Sequence, residues 1–184
     1  IYNYISTKSN FITIKKAANK EVKMKNDKPK STPLSDHKIG LSAWVGDSPK
    51  VLILGTMPGD NSLREQAYYC DTAHNSFWKI MYSLFEEKDD MMSNRDFITS
   101  HNIALWDCVQ SGIRKGSTDN GYDIDSLIPN DIQSFLKEYP SIKTIVLNGK
   151  GKGSKKRPST TFLFKRFFFT IDFDGKLSLI HISE

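Results

Sequence analysis

The sequence predicts an α/β protein of three layers, α/β/α, in which helices cover both faces of a short, mostly parallel central sheet. Three short apolar runs, Val51–Leu54, Ile103–Trp106 and Thr144–Leu147, carry this prediction. They lack the apolar/polar alternation of a strand with one wet face, so they are typical of strands buried on both faces. Segments with helical spacing lie between them, and strand–helix–strand order favours parallel neighbours.

Two helices are predicted from apolar residues that recur at three- and four-residue intervals. The first carries Phe77, Ile80, Met81, Leu84 and Phe85 on one stripe. The second carries Ile132, Phe135, Leu136 and Tyr139, and Pro140 follows where that helix should stop.

Three further segments complete the predicted domain. Ser62–Glu65 has the spacing of a capping box, which predicts the opening of a short helix. Lys150–Pro158 is basic and contains glycine, which indicates a loop. Phe162–Phe169 is apolar and predicts a final helix or strand.

Composition excludes several classes of protein. The chain has 184 residues, a net charge of +5 and two cysteines, which suits one domain without a disulfide framework, a four-cysteine zinc site or an iron–sulfur cluster. No run of eighteen apolar residues is present, so no transmembrane helix is expected. We therefore expect a reduced, intracellular enzyme or binding domain with no cofactor, no metal and no membrane partner.

The positive charge lies at the two ends of the chain. Residues 1–38 carry a net charge of +6, residues 39–149 a net of −6, and residues 150–184 a net of +5. The net charge of the chain is therefore no evidence that the central part binds a polyanion. Binding of nucleic acid would have to depend on local basic clusters such as Lys150–Arg157.

Both ends are expected to lie outside the functional domain. Residues 1–38 predict a flexible or non-native extension, and residues 39–176 a domain truncated at its carboxyl end. Residues 177–184 read LSLIHISE, which resembles the translation of a transposon-end sequencing adaptor. The alternative for this octapeptide is a short C-terminal strand.

Ligands of parallel α/β sheets bind beyond the carboxyl ends of the strands, so the segment after each apolar run is a candidate. The first is GTMPGD, in which Gly55 and Gly59 allow close backbone approach and Pro58 stiffens the turn. Its spacing fits neither a phosphate-binding Walker loop nor a dinucleotide fingerprint. By itself the segment is equally consistent with an ordinary tight turn.

The segment Tyr68–Trp78 concentrates aromatic rings, an imidazole and a carboxamide just before the first predicted helix. Flat rings suit stacking on a heterocycle, and the carboxamide of Asn75 can donate and accept hydrogen bonds at its edge. The alternative is that Asn75 or Ser76 only caps the helix and that Phe77 only fills the core.

Five segments, in order and with their spacing kept, resemble the hypoxanthine-DNA (deoxyinosine) glycosylase family, a branch of the uracil-DNA glycosylase superfamily. They cover roughly residues 39–150 and read VLILGTMPGDNSL, AYYCDTAHNSFWKIM, IALWDCVQSGIRKGSTD, IPNDIQSFL and IKTIVLNGK. The stretch HNSFW is also similar to the mismatch-specific uracil/thymine branch.

Two departures from the family pattern stand out. Ala73-His74 precedes Asn75, where the family usually has no histidine. The family's second signature, a Leu-Pro-Ser-Thr-Ser-Pro-Ala-Asn-like loop, is expected after Lys176. Arg157–Thr161 echoes that loop but lies so close to the third strand that we expect the echo to be accidental.

The resemblance implies a monofunctional DNA glycosylase that hydrolyses the N-glycosidic bond of a deaminated base, hypoxanthine or also uracil, in DNA during base excision repair. Such enzymes extrude the nucleotide into a pocket. Asn75 matches the family's catalytic asparagine, and the expected base pocket comprises Gly55, Thr56, Met57, Pro58, Gly59, Tyr69, Phe77 and Asn148. The expected DNA-phosphate contacts are Arg114, Lys115, Ser117 and Lys150. The protein is expected to be a cytoplasmic, nucleoid-associated monomer.

Two alternatives remain open at this point. One is a catalytically inactive nucleic-acid-binding domain on the same scaffold. The other is a hydrolase that acts on free nucleosides.

Overall fold

The computed structural model describes residues 11–15, 35–71, 73–88, 92–149, 151, 153–168 and 178–183. Its centre is a five-stranded sheet in which every neighbouring pair of strands is parallel. The strands are β1 (Phe11–Lys15), β3 (Val51–Gly55), β4 (Ile103–Asp107), β7 (Thr144–Asn148) and β8 (Ser178–Ser183). Their order across the sheet is β1-β8-β7-β3-β4.

Helices cover both faces of this sheet, so the predicted α/β/α layering is confirmed. The α-helices of the described residues are α1 (Asp60–Glu65), α2 (Phe77–Leu84), α3 (Asn94–Ser100), α4 (Ile132–Glu138) and α5 (Thr160–Phe168). Helices α2 and α3 pack with Ile53 and Leu105 on one face. Helices α4 and α5 pack with Leu52 and Leu147 on the other. Alternate residues of β3 thus enter opposite cores, which is why its sequence is apolar without interruption.

A second, antiparallel sheet was not predicted. It consists of β2 (His37–Ile39), β5 (Val109–Ile113) and β6 (Ile128–Pro129), in the order β2-β5-β6. Two of these strands have only three and two residues, too few to show an alternating pattern. The sheet matters for function because β2 and the end of β5 carry two cations, Lys38 and Arg114, towards the carboxyl end of β3.

The short helix α1 begins earlier than predicted. It starts at Asp60, and its N-cap residue, Gly59, makes no side-chain capping hydrogen bond. Ser62 lies buried inside the helix, so the prediction of a capping box at Ser62–Glu65 is wrong. The apolar segment at the end of the domain is a helix, α5, rather than a strand.

Strands also occur in the two segments that we expected to lie outside the domain. Phe11–Lys15 pairs with Ser178–Ser183 in parallel register, and His37–Ile39 pairs with β5. Residues 178–183 of the C-terminal octapeptide therefore form a short strand, the alternative given above, and the likeness of the octapeptide to an adaptor stays a prediction about its origin. Within the described part of the chain, no helix is long and apolar enough to cross a bilayer.

Candidate functional site

A cavity of about 1070 Å³ opens where β3, β4 and β7 end. Four segments surround it: the turn between β3 and α1, the chain before α2, the loop after β5, and the loop between β7 and α5. The carboxyl ends of parallel strands meet at one edge of a sheet, which explains why segments so distant in sequence come together here.

The turn Gly55–Gly59 forms one wall of the cavity and is held from behind by a buried arginine. The guanidinium of Arg114, whose residue is 1% exposed, donates to the carbonyl oxygens of Met57 (3.2 Å) and Pro58 (2.6 Å). It also donates to the carbonyl of Gly116 at 2.9 Å. Arg114 therefore cannot reach a DNA phosphate, and that prediction is wrong: its charge satisfies backbone carbonyls of the turn.

A second buried cation fixes the start of α1. The Nζ atom of Lys38 lies 2.8 Å from Oδ1 of Asp60, and a guanidinium nitrogen of Arg114 lies 3.6 Å from the same oxygen. The hydroxyl of Ser117 accepts a hydrogen bond from the backbone N–H of Asp60 at 2.9 Å. Removing one member of such a buried set leaves the others uncompensated, so the set holds this wall in one position.

Asn75 lies half-buried in the cavity wall, two residues before α2 begins. Its Oδ1 accepts a hydrogen bond from the backbone N–H of Phe77 at 2.8 Å. This contact satisfies the first backbone N–H of α2, whose N-cap residue is Ser76, and also orients the carboxamide. Because Oδ1 is engaged, the Nδ2 donor is the part of the side chain best placed to meet a ligand.

Only one of the two aromatic residues predicted to stack on a base lines the cavity. Tyr69 lines it, whereas Phe77 is 3% exposed and lies outside its wall. The two rings stack on each other with centroids 4.1 Å apart. Phe77 therefore supports Tyr69 from the core side, in place of the contact with a base that we predicted for it.

The structure places a buried carboxyl group at the floor of the cavity that the sequence did not single out. Asp107 ends β4, is 3% exposed and lines the cavity. Burial raises its pKa to about 7; nearby Arg114 lowers it and Asp119 raises it. Among the described residues, Oδ2 of Asp107 has no hydrogen-bond partner. The signal in the sequence was the position, an acidic residue directly after an apolar strand.

The remaining predicted site residues fall into three groups. Thr56, Asn148 and Ser117 line the cavity, as do the other residues of the Gly55–Gly59 turn. Lys115 is exposed on the same loop as Ser117 but outside the cavity wall. Lys150 lies outside the described residues.

The loop before α5 contributes wall residues that were not predicted. Arg157, Ser159 and Thr160 line the cavity, and the hydroxyl of Thr160 donates to the carbonyl of Asn148 at 2.6 Å. This loop follows the third of the predicted strands, so it differs in topology from a signature loop after a fourth strand. It nevertheless forms part of the site, and its likeness to that signature was the signal that could have indicated this.

The fold and the site together define an α/β/α protein with an aromatic- and carboxyl-lined cavity at the ends of its parallel strands. The profile of the uracil DNA glycosylase superfamily matches residues 43–171. The chain belongs to this superfamily.

Relatives of known name agree with this assignment. The chain is 33% identical over 119 residues to the hypoxanthine DNA glycosylase of Methanosarcina acetivorans, which covers 63% of this chain and 73% of the relative. It is 31% identical over 121 residues to the hypoxanthine DNA glycosylase of Methanosarcina barkeri, with the same two shares covered. A solution NMR structure from Methanosarcina acetivorans, of a protein provisionally named a uracil DNA glycosylase, aligns with a TM-score of 0.53. The identity is 26%, over 72% of this chain and 89% of that one.

Proposed function

We propose that the protein hydrolyses the N-glycosidic bond of hypoxanthine in DNA. The observation that carries the proposal is the cavity at the strand ends, where Asn75 and Tyr69 meet the rigid Gly55–Gly59 turn. Both curated relatives described above are named hypoxanthine DNA glycosylase, which supports this choice of base.

The charges around the cavity favour a base, rather than a phosphate, as the group that enters it. Four aspartates line the cavity: Asp60, Asp71, Asp107 and Asp119. Their carboxyl oxygens offer acceptors for the N–H groups of a purine, and those that are ionised repel a phosphate. An enzyme acting on a base in duplex DNA must move the base out of the stack, and a cavity of about 1070 Å³ has room for it.

Basic side chains near the cavity are placed to contact the phosphates of the DNA backbone. Arg157 lines the cavity, and Lys155 and Lys156 are exposed beside it on the loop before α5. Lys115 is exposed on the loop after β5. Such clusters position a duplex through its phosphates and make binding sensitive to salt.

Asn75 contributes to the reaction as a hydrogen-bond donor. Cleavage leaves positive charge on the sugar and negative charge on the departing base, so donors aimed at the base stabilise the transition state. With Oδ1 held by the N–H of Phe77, the Nδ2 atom of Asn75 donates to an acceptor of the base. A neutral carboxamide is a poor general base, so positioning and electrostatics contribute more than proton abstraction by this residue. A monofunctional reaction, a monomeric state and a cytoplasmic, nucleoid-associated location stay predictions.

The proposal is tested by release of hypoxanthine from a duplex with one deoxyinosine. Asn75→Ala should lower the single-turnover rate by about 100-fold, the magnitude typical of losing one transition-state donor. Asn94→Ala is the matched control, because Asn94 begins α3 and lies outside the cavity wall. Thermal melting by circular dichroism should show that both variants are folded.

Three results would contradict the proposal. An unchanged rate in folded Asn75→Ala would remove Asn75 from the reaction. Salt-sensitive binding of the duplex by the wild type, without alkali-labile sites, would identify a nucleic-acid-binding domain without activity. Cleavage of free inosine in preference to the duplex would identify a nucleoside hydrolase.

A further inference from the structure

We propose that Asp107 is the specificity-determining residue of the pocket, and that its protonated carboxyl group pairs with the lactam edge of the extruded base. This inference rests on the proposed function, since it names the atoms of the substrate that the pocket recognises. A lactam edge presents an N–H donor beside a C=O acceptor, as in N1–H and O6 of hypoxanthine. A neutral carboxyl group presents the complementary pair, a carbonyl acceptor beside an O–H donor.

The first argument is the position of the carboxyl group. Asp107 is the last residue of β4, next to β3, and its register partner in β3 is Gly55. A Cβ atom at Gly55 would collide with Oδ1 of Asp107 and with the hydroxyl of Tyr69. The absence of a side chain at Gly55 therefore leaves the carboxyl group room beside the ring that lines the cavity.

The second argument is the hydrogen bond that Asp107 lacks. Asp107 is only 3% exposed, yet its Oδ2 atom has no hydrogen-bond partner among the described residues. A buried polar atom without a partner costs about 1–3 kcal/mol, so such atoms call for an explanation. Because the group lines the cavity, a ligand there can supply the missing partner.

The backbone around Asp107 is held by two hydrogen bonds. The carbonyl oxygen of Asp107 accepts a hydrogen bond from Nδ2 of Asn130 at 2.8 Å. The next residue, Cys108, donates its backbone N–H to the carbonyl of Gly55 at 2.9 Å. Both contacts hold the end of β4 against its neighbours, which is the rigidity that a specificity contact needs.

The ionisable groups around Asp107 permit the protonated form near neutral pH. Burial, the largest effect, raises its pKa to about 7; the charge of Arg114 at the end of β5 opposes this, and that of Asp119 adds to it. The guanidinium of Arg114 donates hydrogen bonds to backbone carbonyls of the Gly55–Gly59 turn. Tyr68 and Tyr69, from the segment before α2, and Cys108 are the other ionisable neighbours. Burial raises the pKa of Tyr68 and of Cys108, which keeps both neutral.

The test compares the wild type with Asp107→Asn and Asp107→Ala between pH 5.5 and pH 8.5. An asparagine keeps one acceptor beside one donor in the same shape but does not titrate. For the wild type, kcat/KM for hypoxanthine release should fall about tenfold per pH unit above the pKa of the free enzyme. Asp107→Asn should lose this fall, and its kcat/KM at pH 6 should exceed that of Asp107→Ala. Asp107→Ala should be roughly 10- to 100-fold slower at pH 6, since the buried pair is gone.

The opposite pattern overturns the proposal. If Asp107 acted as a general base through its carboxylate, the rate of the wild type would rise with pH, and Asp107→Asn would be as slow as Asp107→Ala. If Asp107→Ala fails to fold, the pH profiles of the wild type and of Asp107→Asn still decide between the two roles.

A binding measurement separates this proposal from the proposed function. Free hypoxanthine and 1-methylhypoxanthine are titrated into the wild type at pH 6, with binding followed by calorimetry. The methyl group removes N1–H, so 1-methylhypoxanthine should bind at least tenfold more weakly, and equal binding of the two would refute the lactam contact. A wild type that binds hypoxanthine selectively but releases none from DNA would refute the proposed function and leave the contact standing.

Discussion

Replacing Asp107 with asparagine should stabilise the protein, and the gain should grow with pH. In the folded state burial raises the pKa of Asp107 from its ordinary value of 3.8 to about 7. Well below pH 3.8 the carboxyl group is protonated in both the folded and the unfolded chain, so its titration does not change the free energy of unfolding. As pH rises towards 7 the unfolded chain ionises freely while the folded protein does not, so the wild type loses stability over this window. Above pH 7 both forms ionise and the loss is complete.

The size of the loss follows from the two pKa values. The difference between 3.8 and about 7, at about 1.4 kcal/mol per pKa unit, amounts to about 4 kcal/mol in total. Part of the loss has already occurred by pH 5. Between pH 5 and pH 8, the free energy of unfolding of Asp107→Asn should therefore rise by about 2.5 kcal/mol relative to the wild type.

Urea denaturation of both proteins at four pH values, followed by tryptophan fluorescence, measures this difference directly. Asp47→Asn, which removes an exposed carboxylate, controls for the general effect of one less negative charge. Any change in packing that the amide causes shifts the whole curve without changing its slope. A difference that stays flat from pH 5 to pH 8, or that shrinks as pH rises, would refute the statement that Asp107 is buried in its protonated form.

Two further substitutions test the wall of the cavity. Arg114→Met removes the donors to the carbonyls of Met57 and Pro58 and one cationic neighbour of Asp60. It should lower the free energy of unfolding, measured in urea, by about 3–5 kcal/mol. A loss below about 1 kcal/mol would show that Arg114 does not support the cavity wall. Gly55→Ala places a methyl group against the carboxyl of Asp107 and the hydroxyl of Tyr69. It should lower the free energy of unfolding by about 1–3 kcal/mol and weaken hypoxanthine binding at least tenfold in calorimetry. Unchanged binding would mean that the base does not bind beside Gly55.

The central sheet could be predicted because burial on both faces leaves a continuous apolar run. Val51–Leu54 and Thr144–Leu147 show this pattern, and both lie within strands of the sheet. Helices α2 and α4 could be predicted for a similar reason, since one stripe of each helix enters a core. The small antiparallel sheet could not, because a two- or three-residue strand is too short to display a period.

The site was harder to predict than the fold, since function depends on which side of a segment faces the cavity. Arg114 has the residue type of a phosphate contact, and only the tertiary structure shows that its guanidinium points into the protein. Phe77 and Tyr69 are equivalent as rings in the sequence, yet the stacking of one on the other leaves only Tyr69 at the cavity. Asp107 was missed because an isolated acidic residue after a strand has no motif, and its importance comes from burial.

The ion pair between Lys38 and Asp60 extends the functional unit beyond its recognisable sequence. The match to the superfamily begins at residue 43, whereas the lysine that neutralises the first residue of α1 lies five positions earlier, in β2. A chain trimmed to residues 43–171 would keep the residues of the cavity wall and Arg114 but would lose Lys38, one of the two cations beside Asp60. Part of the support of this wall therefore lies outside the recognised boundary, and expression boundaries for functional work should begin before Ser35, whose carbonyl oxygen also accepts a hydrogen bond from Lys38.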